Sequence, residues 1–103
     1  MRGRPLKSII RQGIVEILYF SNSMHGYEVF KVYNSIFPSV TQRSIYYHLR
    51  KGEQIKEFKV SDIKYKKGDY SWGETAKRIY YKLGPNAEPR ISKRVKKFFE
   101  SRT

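Results

Sequence analysis

Apolar residues recur at helical spacing along the first half of the chain and then switch to alternation. Leu6, Ile10, Ile14, Ile17 and Leu18 fall on one face, with Lys7, Arg11 and Glu16 mainly elsewhere. That predicts a first helix with Pro5 in its first turn, where the missing N–H costs nothing, ending near Phe20. The polar run Ser21-Asn22-Ser23 then breaks the pattern. A second helix opens at His25-Gly26-Tyr27-Glu28, with Tyr27, Val29, Phe30, Tyr33 and Ile36 as its apolar positions. It stops at Phe37-Pro38, because the residue before proline is pushed out of the helical region.

Ser39 reads as the N-cap of a third helix, with Gln42 three residues on as its capping-box partner. Ile45 and Leu49 face the core from that helix, and Gly52 is expected to end it. After Gly52 the period becomes two: Phe58 and Val60 alternate with Lys59, and Ile79, Tyr81 and Leu83 alternate with Tyr80 and Lys82. These are the strands of a hairpin. Ile63 and Tyr65 sit in the opposite phase from Phe58 and Val60, which predicts a bulge near Ser61-Asp62. Gly84-Pro85-Asn86 is a turn. A last amphipathic helix within 87–103 carries Ile91, Val95, Phe98 and Phe99 on one stripe, among Arg90, Lys93, Arg94, Lys96 and Lys97.

Three helices, a hairpin and a closing helix make an α+β winged helix-turn-helix. It divides into a basic arm at 1–5, a winged-helix domain at 6–86 and the terminal helix. The length of 103 residues suits one domain with a modest core.

Charge turns this outline toward a polyanion. Twenty-two Lys and Arg stand against nine Asp and Glu, a net charge of +13. The excess is spread over both halves, as on a charged folded surface and unlike a single basic tail. Cysteine is absent, which removes disulfides, thiolate nucleophiles and Cys-based zinc sites and points to the cytoplasm. The two histidines, His25 and His48, are too few and too far apart for a metal site. His48 reads as a partly buried neighbour of the second helix. Apolar runs are far short of a membrane span. No Gly-Lys-Ser or Gly-Lys-Thr phosphate loop and no paired carboxylates occur, so an enzyme is not expected, and neither cofactor nor small-molecule substrate is implied.

In a helix-turn-helix the second helix of the motif enters the major groove. With Ile45 and Leu49 inward, Thr41, Gln42, Arg43, Tyr47 and Arg50 are the outward positions of the third helix. Arginine matches guanine O6 and N7, and glutamine matches adenine N6 and N7. The wing, taken as the loop from Lys64 to Arg78, offers Lys64, Lys66, Lys67, Lys77 and Arg78 to flanking phosphates. Tyr70 and Trp72 within it either lie on the DNA backbone or fold back as anchors. The same side chains also suit an ordinary solvated surface. The stripe Ile91, Val95, Phe98 and Phe99 needs a cover, either the first helix of its own chain or a second copy in a homodimer. Double-stranded DNA is the expected partner, with transcriptional regulation as the role and nucleoid association as the location. An architectural protein of little base preference, an RNA binder and a protein-interaction module remain as alternatives.

Three stretches carry a resemblance. His25-Gly26-Tyr27-Glu28-Val29, Ser44-Ile45-Tyr46-Tyr47-His48-Leu49 and Arg78-Ile79-Tyr80-Tyr81-Lys82-Leu83 together resemble the PadR-like branch of winged-helix regulators. The resemblance implies a DNA-binding regulator. Where that family usually has Leu-Glu-x-x-Gly-Leu-Ile after the third helix, this chain has Lys51-Gly52-Glu53-Gln54-Ile55, and less sequence follows Gly84. Arg2-Gly3-Arg4-Pro5 is similar to the core of an AT-hook, implying that Arg2 and Arg4 enter the narrow minor groove of A·T-rich DNA.

Overall fold

The computed structural model of the chain describes residues 8–67 and 75–101, with 65–67 and 75–77 described by backbone alone. Its elements are α1 (Ile9–Ser21), β1 (Met24–His25), α2 (Gly26–Ile36), α3 (Gln42–Gln54), β2 (Phe58–Lys67), β3 (Thr75–Leu83) and α4 (Lys93–Ser101). The α+β winged helix-turn-helix read from the pattern is the architecture found. One element is additional: the two-residue β1 pairs antiparallel with β3, making a three-stranded sheet in the order β1-β3-β2. Two residues are too short to show a period.

Side-chain caps and turn contacts set the helix ends. Ser8 caps α1, its hydroxyl accepting from the Arg11 N–H at 3.2 Å, so the helix begins at Ile9. The expected start around Pro5 and Leu6 lies outside the described residues. Asn22 closes α1 with φ 72°, a left-handed conformation asparagine tolerates. The expected Ser39 cap is displaced: Thr41 caps α3, its hydroxyl accepting from the Ser44 N–H at 3.1 Å, and Gln42 is the first helical residue. Asn34 explains the shift. Its side chain bonds both the N–H and the C=O of Val40, at 2.9 and 3.1 Å, and holds the α2–α3 turn extended through Val40.

Gly52 does not end α3. The helix continues to Gln54, and Lys56 takes the left-handed position at φ 67°. The Glu57 N–H bonds the Gly52 carbonyl at 2.8 Å and the Lys56 N–H bonds that of Glu53 at 3.2 Å, a Schellman arrangement. Gly52 is needed for another reason. It is buried inside the helix against the ring of Phe58, and a Cβ there would run into that ring.

The core gathers Ile14, Val15, Ile17 and Leu18 of α1, Val29, Val32, Tyr33 and Ile36 of α2, Ile45 and Leu49 of α3, and Phe58 and Val95. On α2 the buried stripe is therefore Val29, Val32, Tyr33 and Ile36; Tyr27, expected inside, is exposed. In the hairpin Val60 pairs with Tyr81 and Asp62 with Tyr80, leaving Ser61 as the bulged residue. The bulge returns Ile63, opposite Ile79, to the face of Phe58 and Val60.

The last helix is shorter than its stripe. Ile91 stands outside α4, exposed, with φ 56°. Val95 is completely buried, and Phe98 and Phe99 are half-buried against the same core, with Phe99 stacked on Phe20 of α1 at 6.3 Å. Of the stripe, Val95 is thus covered within its own chain, while Ile91 and part of Phe98 and Phe99 stay open on the surface. Glu16 fixes that docking. This α1 carboxylate, expected off the apolar face, is buried and accepts from the backbone N–H groups of Arg90 at 2.6 Å and Ser92 at 2.9 Å. The left-handed turn at Ile91 lets two nearby N–H groups converge on one anion.

Candidate nucleic-acid interface

Helix α3 is held by its inner side and left open on its outer one. Ile45 and Leu49 have no exposed surface, while Thr41, Gln42, Arg43, Tyr47 and Arg50 are all exposed. Arg43, Tyr47 and Arg50 follow at intervals of four and three, so they form a single stripe along the helix. Thr41 has a structural duty as the cap. Tyr46 is half-buried over the start of α2, where a Cβ on Gly26 would lie 2.5 Å from its ring. Its neighbour Tyr47 is 54 % exposed.

Arg11 straps this helix to α1. Its Nε donates to the Glu57 carboxylate at 3.1 Å, and its Nη1 lies 3.3 Å from Nδ1 of His48. His48 therefore meets α1, where the second helix had been expected. Burial and, after it, the Arg11 charge hold the imidazole below its ordinary pKa, so the neutral ring accepts from arginine.

A cleft of about 690 Å³ separates α3 from β3. Arg50 and Glu53 line it from the helix, Arg78 and Tyr81 from the strand, and His25 and Tyr27 from the start of α2. His25 caps α2 there, with Nδ1 accepting from the Glu28 N–H at 3.4 Å. Burial and the Arg78 guanidinium lower its pKa, while the Glu28 carboxylate opposes them. Burial, followed by the Glu53 carboxylate, raises that of Tyr81.

The basic residues assigned to the wing loop stand on its strands instead. Lys64, Lys66 and Lys67 belong to β2, and Lys77 and Arg78 to β3, because the ladder runs on to the Lys67–Thr75 pair. Lys64 pairs with Arg78 in register, and its ammonium lies 4.9 Å from the Tyr80 ring centroid. Pairing fixes the backbone positions of Lys64 and Arg78 relative to each other, which a loose loop would not. The side chains of Lys66, Lys67 and Lys77, together with Tyr70, Trp72, Arg2 and Arg4, lie outside the described residues.

Sequence reasoning missed Tyr27 and Lys31 as surface groups. Tyr27 is 48 % exposed and carries the Lys31 ammonium 5.7 Å from its ring centroid. The signal was present, since Val29, Val32, Tyr33 and Ile36 form a complete stripe that excludes Tyr27. Among the described residues no cluster of three His, Cys, Asp or Glu could hold a metal ion, and no helix is long and apolar enough to cross a membrane.

Similarity to known proteins comes from structure. No family model matches the chain, and no curated protein matches its sequence. The fold is similar to the crystal structure of a PadR family transcription regulator from Clostridium difficile R20291, with a TM-score of 0.54 and 24 % sequence identity. The match covers 92 % of this chain and 83 % of that one. The fold is therefore the one the three motifs implied.

Proposed function

We propose that this protein binds duplex DNA and acts as a transcription regulator at the nucleoid. The observation that carries the reading is the exposed stripe Gln42, Arg43, Tyr47 and Arg50, on a helix locked from behind and flanked by a cation-lined cleft. A rigid helix with short polar and cationic groups facing outward fits the major groove. Arg78 and Lys64, paired on the hairpin, then meet backbone phosphates and set the register. Lys66, Lys67 and Lys77 extend those contacts along the wing, and Arg2 and Arg4 follow into the adjacent minor groove. The net charge of +13 supports the choice of partner, and the regulatory role of the structural neighbour supports the biological class. The function is binding, without catalysis.

The test is fluorescence anisotropy with a random-sequence duplex, its single strand and a matched RNA duplex across salt, followed by selection of a preferred site. Duplex DNA should win, with steep salt dependence. Arg43→Ala should then cost about 1–3 kcal/mol on the selected site and little on random DNA. Equal binding to all three nucleic acids removes the reading. Equal loss on both duplexes reduces Arg43 to a backbone contact and favours the architectural alternative, which the even spread of charge also suits.

A further inference from the structure

Three grooves run into one another across one side of the molecule. The cleft between α3 and β3 shares His25, Tyr27 and Arg78 with a second cavity of about 440 Å³ along α2. That cavity shares Ser35 and Phe98 with a third, of about 420 Å³, between α2 and α4. The cations along this path are Arg50, Arg78, Lys31, Arg94 and Lys97, against the carboxylates Glu53 and Glu28. Two of the cations are held over aromatic rings, Lys31 over Tyr27 and Arg94 over Phe37 at 5.2 Å. Ring contacts place a cation without neutralising it, so its charge still serves an outside anion.

We infer that the duplex gripped by α3 and the wing continues along α2 to α4, its phosphates following Lys31, Arg94 and Lys97. The inference rests on the duplex-DNA reading and extends the footprint beyond the helix-turn-helix. Its occupant is a DNA strand because the path shares residues with the α3–β3 cleft, and because each successive groove adds cations to it. Tyr27 to Ser35 on α2 spans about 12 Å at 1.5 Å per residue. A duplex axis running along α2 would present roughly three or four phosphates of one strand over that length, at about 3.4 Å of axis each. An acidic protein partner would have no reason to track from the recognition helix.

The test compares salt dependence on a long random duplex for the wild type, K31Q/R94Q/K97Q, K31Q/K97Q and the off-path pair K93Q/K96Q. Removing one cation that neutralises a phosphate flattens the slope of log affinity against log salt by about 0.9. The triple variant should therefore be shallower by about 2.7. That amounts to roughly 40-fold less affinity loss than wild type between 50 and 200 mM salt. The K31Q/K97Q pair spares Arg94 and its packing on Phe37, and should show about 12-fold less loss. The off-path pair removes as many charges and should keep the wild-type slope. A wild-type slope in the triple variant overturns the inference, and so does equal flattening by both double variants, since net charge alone would then explain the effect. If Arg43→Ala loses site preference while the triple variant keeps its slope, the extended path fails and the DNA reading survives. A wild-type protein that ignores duplex DNA ends both.

Discussion

Replacing the buried carboxylate of Glu16 by its amide isostere isolates the bond set that docks α4. In the native arrangement Oε2 accepts from the Arg90 N–H at 2.6 Å and from Gln12 Nε2 at 2.7 Å, and Oε1 accepts from the Ser92 N–H at 2.9 Å. Glu16→Gln keeps one acceptor oxygen and turns an NH₂ group toward a backbone N–H. One charge-assisted bond, worth about 1.5–3 kcal/mol, is lost, and the remaining two weaken to neutral ones. The lower cost of burying an amide offsets part of this. The net expectation is a loss of about 2 kcal/mol. For a domain of this size that is roughly 8–16 °C in melting temperature. Urea unfolding followed by far-UV circular dichroism should move its midpoint down by about 1 M. Glu16→Ala, which leaves both N–H groups without a partner, should cost about 3–5 kcal/mol. A Glu16→Gln loss below about 0.5 kcal/mol would refute the claim that this carboxylate organises the left-handed turn at Ile91. The same variant should flatten the salt dependence of DNA binding, because Arg94 and Lys97 depend on the docking of α4.

Gly52→Ala should destabilise by about 1–3 kcal/mol through the Phe58 clash, with roughly 1 kcal/mol of helix propensity recovered. Added to Phe58→Leu it should cost at least 1 kcal/mol less than the two singles sum to; strict additivity would show that the ring does not enforce the glycine. Both histidines have folded pKa values below the ordinary 6.5, so the unfolded chain binds more protons below that value. Their contribution is therefore complete above about pH 6.5 and is lost as pH falls through the folded values. Denaturant unfolding at several pH values should show stability dropping on acidification, and His48→Gln, which keeps an acceptor for Arg11, should flatten that drop. An unchanged pH profile would sink the assignment.

How much of this was legible in the chain depended on the range of the interaction. Helical and strand periods come from burying one face of a local element, so α1, α2, α3, the hairpin and the bulge at Ser61 were readable from residues a few positions apart. The outward set on α3 was readable for the same reason, once Ile45 and Leu49 marked its inner side. Helix boundaries were not. Thr41 displaces Ser39 because Asn34, on the preceding helix, claims Val40. Lys56 displaces Gly52 because Phe58, on a strand, needs the space a side chain would fill. Glu16 looked like a surface charge until Arg90 and Ser92, more than seventy residues away, supplied its donors. The pairing of β1 with β3, the burial of Val95 and the joining of three grooves into one basic path likewise arise between distant segments. Local sequence determines which face of each element is apolar. Which partner meets that face, and which polar groups are brought together between elements, is decided when the chain folds.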